Sequence, residues 1–208
     1  MSIIGLAGKK RSGKTIVGRH LAKKHKYIRT MLAEPFKLAL MQMFGWTWEH
    51  IEGELKEVVD ERYRFSPRTA MQTIGTEWGR SLNRDLWIIL ADQRVDWSEN
   101  VVITDIRREN EAKWVRYKGG TIIHIIRPDL PDNDSHKSES GIKIRPNLGD
   151  MVLTNNLEPF EIMHSKIDSY VDMINRQQKT YSDLTMVCEQ RTYYPLWHPG
   201  TINHQRQQ

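Results

Sequence analysis

A single cysteine, Cys188, stands in a chain of 208 residues. No internal disulfide can form, and no Cys/His cluster has the spacing of a zinc site. No apolar run approaches the length that spans a bilayer. The opening "MSIIGLAG" has no basic lead and passes straight into a glycine-rich motif, unlike a secretory signal. These absences set the expectation of a cytoplasmic protein without membrane contact. Internal repeats and low-complexity linkers are also missing, and the length suits one ordinary domain carrying a small insertion. Nor is there a long block of Lys or Arg. The net charge of +5 and the pI of about 9.3 favour anionic partners, from nucleotides to nucleic acid. Because the basic residues are spread along the chain, charge alone selects none of them. With 38% hydrophobic and 27% charged residues, the chain can bury a globular core.

The apolar segments alternate with helical ones. "SIIGLA" (2–7) reads as a buried strand that ends at a glycine-rich turn. Residues 14–25 read as a helix with Val17 and Leu21 on one face, and 27–33 as a second strand. Helices are expected over 34–45 and 47–63, and Ser66-Pro67 is a helix entry, with Ser66 as cap and proline at the first helical position. A third strand (100–105), a helix (109–118) and a fourth strand, "TIIHII" (121–126), follow. Residues 127–149 are rich in turn formers and read as a long loop. A fifth strand (151–155) and a closing helix (158–176) precede a polar tail that is expected to be partly loose. Strands apolar throughout and separated by helices predict an α/β fold with a five-stranded parallel sheet covered on both faces. The expected core is 1–33, 99–126 and 150–176. The segment 34–98 would form a helical substrate-binding insertion, 127–149 a lid, and 177–208 a C-terminal tail.

"GKKRSGKT" (8–15) matches G-x-x-x-x-G-K-[ST] in full, after a predicted strand and at the opening of a helix. Gly8 and Gly13 let the backbone of Lys9, Lys10, Arg11 and Ser12 turn its N–H groups inward on phosphate oxygens. The helix beginning near Lys14 adds its positive end. In such a loop Lys14 reaches the β and γ phosphates, and the Thr15 hydroxyl ligates Mg²⁺. Asp105 closes the apolar strand "VVIT", where a carboxylate suits the same ion; its ordinary reading is a strand-end cap. A nucleoside triphosphate with Mg²⁺ is therefore the expected ligand.

Further absences narrow the class. Without D-x-x-G or N-K-x-D, a GTPase switch is disfavoured. Ile106, and no glutamate, follows Asp105, which disfavours a hydrolytic motor. A small kinase remains, moving a γ-phosphoryl group to a bound acceptor, and an acceptor bearing its own phosphate needs fixed arginines opposite the loop. Arg68 and Gln72 lie at i and i+4 on one helix face, and Arg107 stands just past Asp105.

The blocks "LAGKKRSGK" (6–14), "LAEPFK" (32–37), "SPRTAMQTIGTEWGR" (66–80) with "DLW" (85–87), "ITDIRRENEA" (103–112) and "SHKSE" (135–139) resemble the deoxynucleoside monophosphate kinases of tailed bacteriophages. They run in the family's order over residues 3–157. One departure is that Thr15 directly follows Lys14, where many members carry Asp and then Thr. The resemblance implies a phosphate-loop nucleoside monophosphate kinase fold with ATP and Mg²⁺ as donor. It also implies a 2′-deoxynucleoside 5′-monophosphate as acceptor, and it allows a homodimer. Carried over, the donor loop is Gly8 to Thr15. Lys37, Arg68, Gln72, Trp78 and Arg80 belong to the acceptor lobe, and Asp105 with Arg107 to the catalytic strand end.

Each of these residues also has a plainer reading. Arg68 can grip the acceptor phosphate or pair with Glu77; Gln72 can read a base edge or solvate a helix face. Trp78 can stack on the base, although a tryptophan between helices is more often core. Arg107 can stabilise the transition state or bridge to Glu111 at i+4, and both can hold. Arg127, closing strand four, can contact adenine or donor phosphates, or merely solvate a strand end. His124 reads as a hydrogen-bonded core histidine. His136, Glu139 and Cys188 receive no role. Two rival functions stand beside this one: a kinase of another phosphate-bearing metabolite, separable by a panel of acceptors, and a DNA-associated ATP binder, separable by DNA-stimulated hydrolysis. The lack of a concentrated basic stripe counts against the second and makes nucleic acid a disfavoured partner.

Overall fold

The computed structural model describes residues 1–130, 142–157 and 159–185. His136, Glu139, Cys188, residues 131–141 of the expected lid and the tail beyond 185 lie outside them. Five strands, β1 (Ile3–Ala7), β2 (Ile28–Thr30), β3 (Val101–Ile106), β4 (Thr121–Ile126) and β5 (Met151–Thr154), form one sheet in the order β2-β3-β1-β4-β5. Every pairing is parallel, as the expected α/β class requires. All five residues of β1 are buried. Alternate residues feed two cores: Ile3, Ile103 and Ile122 face one side, Ile4, Val102 and Ile123 the other.

Helix α1 (Lys14–His25) seats Val17 and Leu21 in the second core. The long closing helix α8 (Phe160–Thr185) adds Met163, Ile167, Val171 and Ile174, one apolar stripe at helical spacing. The tail is therefore helical to residue 185, beyond the expected end at 176. On the opposite face lie α7 (Glu109–Tyr117) and the insertion. Among the described residues no helix is long and apolar enough to cross a membrane.

The insertion is helical but more broken than the sequence suggests. After α2 (Glu34–Phe44), the expected helix over 47–63 reduces to α3 (Trp48–Glu52) and a 3₁₀ turn, Glu54–Glu57. Gly53 interrupts it in extended conformation, and the Glu49 carboxylate accepts from the Glu54 amide, 2.7 Å away. Ser66 caps α4 (Pro67–Gln72) as expected, its hydroxyl accepting from the Thr69 amide at 3.2 Å.

That helix continues through a π-helical stretch, Thr73–Trp78, into α5 (Gly79–Leu82), and α6 (Leu86–Arg94) follows. The wider turn carries an extra residue and so shifts the phase of the helix. Gly75 and Gly79 then meet Phe36 and Trp87, and a Cβ built on Gly79 would lie 2.3 Å from the Trp87 ring and 3.1 Å from the Ile74 carbonyl. The indole cannot easily retreat, because its N–H donates to the Gly75 carbonyl at 2.6 Å. Gly79→Ala is therefore expected to destabilise by about 1–3 kcal/mol through overpacking. Thermal unfolding should show this as a fall of several degrees; an unchanged midpoint would contradict the tight fit.

Candidate active site

The carboxyl edge of a parallel sheet is where α/β proteins place ligands, at the point where strand order reverses. Here β1 lies between β3 and β4, so the loop leaving β1 emerges at that edge with Asp105 on one flank and Arg127 on the other. Gly8 and Gly13 have φ of +149° and +113°, which side chains rarely adopt. A Cβ on Gly8 would strike the Ile125 carbonyl at 2.4 Å, so the loop is packed against β4 too closely for any other residue. From behind, Asn155 at the end of β5 donates to the Ser12 carbonyl at 2.9 Å. Arg127 donates to the Arg11 carbonyl at 3.4 Å and is held by Asp129 through two contacts of 3.0 Å.

Helix α1 opens from this loop with Gly13 as its cap, no side-chain capping bond and no acidic residue in its first turn. Its positive end is thus not neutralised from within, which suits an anion. Lys14 places its ammonium 2.6 Å from the carbonyls of both Gly8 and Lys9, over the loop. Lys10 instead reaches across to Glu57 of the insertion, 2.6 Å away.

One cleft joins the loop to the insertion. Lys14 and Thr15 line it from the loop, Thr104 and Asp105 from β3, Arg107 from just beyond it, and Lys37, Arg68, Gln72 and Arg80 from the insertion. The sequence did not single out Phe36, Glu52, Lys56, Trp87 or Arg108, and it named Glu111 only as a partner of Arg107; all of these line it too. A second cleft beside the loop takes Gly8, Lys9, Ile125, Arg127 and Pro128 into its wall. Among the described residues, Arg107 is the side chain common to both.

Trp78 is 55% exposed, which excludes a core position, and it lines neither cleft. The π-helical turn rotates it outward, and Trp87 takes the buried place at the cleft wall. Arg107 and Glu111 differ from expectation as well. Glu111 accepts from the Arg107 and Arg108 amides at 2.7 and 3.0 Å, and its ion pair, at 2.5 Å, is with Arg80. Burial pushes the Glu111 carboxyl above its ordinary range, against the pull of the Arg107 amide and the Arg80 guanidinium.

Asp105 accepts from the Leu32 and Ala33 amides at 2.8 and 3.0 Å and so ties the end of β3 to the entry of α2. A carboxylate offers about four lone-pair sites, so this cap is compatible with a further ligand. Lys37 is buried, with its ammonium 2.5 Å from Glu52. Lys56 meets the other oxygen of Glu52 at 3.5 Å. Burial lowers the Lys56 ammonium, Glu52 raises it, and Lys37, Arg68 and Arg107 lower it further. That crowding of cations on one wall needs negative charge to relieve it. His124 is buried and bonds to Asp150 at 3.0 Å, as its core reading requires.

Comparison with known proteins follows the same lines. Residues 45–167 match the model of a family described as deoxynucleotide monophosphate kinase. A protein of Acanthamoeba polyphaga mimivirus, provisionally named a deoxynucleotide monophosphate kinase, is 33% identical over 190 residues, or 83% of this chain and 97% of that protein. The deoxynucleotide monophosphate kinase of Enterobacteria phage T4 is 31% identical over 117 residues, covering 53% of this chain and 47% of the phage protein. The match thus spans about half the length of that phage relative. In fold, the chain is similar to a gluconokinase from Sinorhizobium meliloti 1021, with a TM-score of 0.52, 13% identity, and coverage of 87% and 97% of the two chains.

Proposed function

This chain belongs to the deoxynucleotide monophosphate kinase family, and from that premise we propose that it moves the γ-phosphoryl group of ATP onto the 5′-phosphate of a 2′-deoxynucleoside monophosphate. The observation that carries this reading is the single cleft walled on one side by Lys14 and Thr15 and on the other by Lys37, Lys56, Arg68 and Arg80. An acceptor phosphate oxygen attacks the γ-phosphorus, the bond to the β,γ-bridging oxygen breaks, and ADP leaves with that electron pair. No base is required, because a phosphate monoester is largely ionised near neutral pH.

In this reading the main-chain amides from Gly8 to Thr15, with Arg127 alongside, hold the donor phosphates. Lys14 neutralises charge between β and γ, while Arg107, which borders both clefts, does so at the transferring group. Arg68 grips the acceptor phosphate, Gln72 faces its nucleoside, and Lys37 and Arg80 shape the wall around it. Thr15 and Asp105, both on the cleft, fit a small hard cation through oxygen ligands. Bound Mg²⁺ would supply positive charge that offsets the charge of the phosphates. We divide the chain accordingly into the core, the acceptor lobe 34–98 and the lid 127–149. Closure of lobe and lid excludes water and lines up the reacting atoms. The reading places the enzyme in the cytoplasm with its nucleotides, and a homodimer is compatible with it.

Steady-state kinetics of Arg68→Ala test the acceptor assignment. Loss of a charge-assisted contact should raise KM for the monophosphate roughly ten- to a hundredfold, with KM for ATP nearly unchanged. Equal effects on both substrates would contradict it.

A further inference from the structure

Near the far end of α1, six and eleven residues beyond Lys14, a group of side chains meets that phosphoryl transfer does not use. Helix α1 contributes His20, Lys24 and His25, and α8 contributes His164 and Asp168. The Nε2 atoms of His20 and His25 lie 2.7 and 2.6 Å from the same oxygen of Asp168. The candidate ligand atoms of these three residues all lie within 4.8 Å of one another. His164, one turn before Asp168, stacks on His20 with ring centroids 3.9 Å apart, which fixes that ring's plane. Lys24 holds the second Asp168 oxygen at 2.6 Å.

Holding one surface carboxylate requires a single cation, and Lys24 already supplies it. Two imidazoles converging on the other oxygen are a surplus as ion pairing but a match to a metal's donor set. Two neutral histidine nitrogens and one carboxylate oxygen suit a borderline divalent ion such as Zn²⁺ or Co²⁺. Around a tetrahedral ion with bonds near 2.0–2.1 Å, neighbouring ligand atoms stand about 3.3 Å apart. The present N···O separations need to open by only about 0.6 Å to admit one. Side-chain exposures of 10%, 18% and 24% for His20, His25 and Asp168 leave the group shielded yet reachable.

We infer that His20, His25 and Asp168 form a binding site for a Zn²⁺-class divalent cation, with water in the fourth position, which clasps α8 to the phosphate-loop helix. Entry of the ion displaces a proton from each coordinating nitrogen that carries one and releases them to solvent. Lys24 competes for the carboxylate and weakens the site. This assignment does not depend on the proposed reaction.

Tag-free full-length protein, stripped with EDTA and free of nucleotide, would be titrated with Co²⁺ by visible absorption and with Zn²⁺ by calorimetry. One saturable ion per chain is expected, with the intense d–d bands of a tetrahedral site. At hundredfold excess over Kd, Zn²⁺ should raise the melting temperature by about 5–10 °C. His25→Ala and Asp168→Asn should each weaken binding at least tenfold, and Lys24→Ala should strengthen it. Asp105→Asn, in the nucleotide cleft, should leave it unchanged. His25→Gln replaces His25→Ala if the latter fails to fold in EDTA. Absence of saturable binding overturns the site, as does binding that survives the α1 and α8 substitutions or is lost with Asp105→Asn.

Discussion

Lys14→Ala is expected to cut phosphoryl transfer by roughly a thousandfold or more while leaving the fold standing, the scale seen when one preorganised charge at a reacting phosphoryl group is removed. The two consequences separate because of where the side chain lies. It opens α1 at the cleft wall, and its ammonium contacts the loop carbonyls of Gly8 and Lys9. Exchanging those partly exposed contacts for water costs little stability, about 1 kcal/mol each at most. Phosphate oxygens in the loop would take the same ammonium, and two nearby cations are engaged with carboxylates. Lys10 is drawn off to Glu57, and Arg127 is held by Asp129. Circular dichroism and melting temperature close to those of the parent, together with near-absent turnover, are the expected pair of results. Turnover within tenfold of the parent would remove Lys14 from the mechanism.

Glu111→Ala should show the reverse order, with stability lost first and activity as a consequence. Its carboxylate is buried, pairs with Arg80 and accepts from two successive backbone amides. Removing it leaves a guanidinium and two amides without their acceptor, in a place where water reaches poorly. Breaking a buried ion pair from one side costs about 3–5 kcal/mol, a fall of roughly 6–20 °C for a chain of this size. Because the amides belong to Arg107 and Arg108, the loop that presents Arg107 to both clefts loosens as well. Glu111→Gln, which keeps an acceptor but no charge, should fall between the parent and Glu111→Ala. An unchanged melting temperature for Glu111→Ala would contradict the role given to this carboxylate.

Much of this molecule is legible in the chain itself. β4 matches the apolar run 121–126 residue for residue, and α1 matches 14–25, because their cues are local: an unbroken apolar run, and a glycine loop opening a helix. β2 was harder to bound. Only Ile28–Thr30 pairs with β3, and Asp105 gathers the Leu32 and Ala33 amides into the turn before α2. Such a bond spans more than seventy positions and leaves no periodic trace. The same holds for Glu111. Its spacing to Arg107 suggested a side-chain bridge, yet its partner is Arg80, from an element that tertiary packing brings alongside. Trp78 lies outside the core for a related reason. A π-helical turn changes which residues share a face, and helical spacing alone assumes 3.6 residues per turn. Glu52 and Lys56, four apart, went unnamed in the sequence, where a continuous helix was expected over 47–63; Gly53 breaks it.

The central claim is that the phosphate loop donates to a second nucleotide held across one cleft, and following the label from γ-³²P-ATP tests it most directly. With each deoxynucleoside and ribonucleoside monophosphate offered in turn, label should appear as the β-phosphate of a deoxynucleoside diphosphate and scarcely as inorganic phosphate. Label released only as inorganic phosphate, or passed to no nucleotide in the panel, would contradict the account.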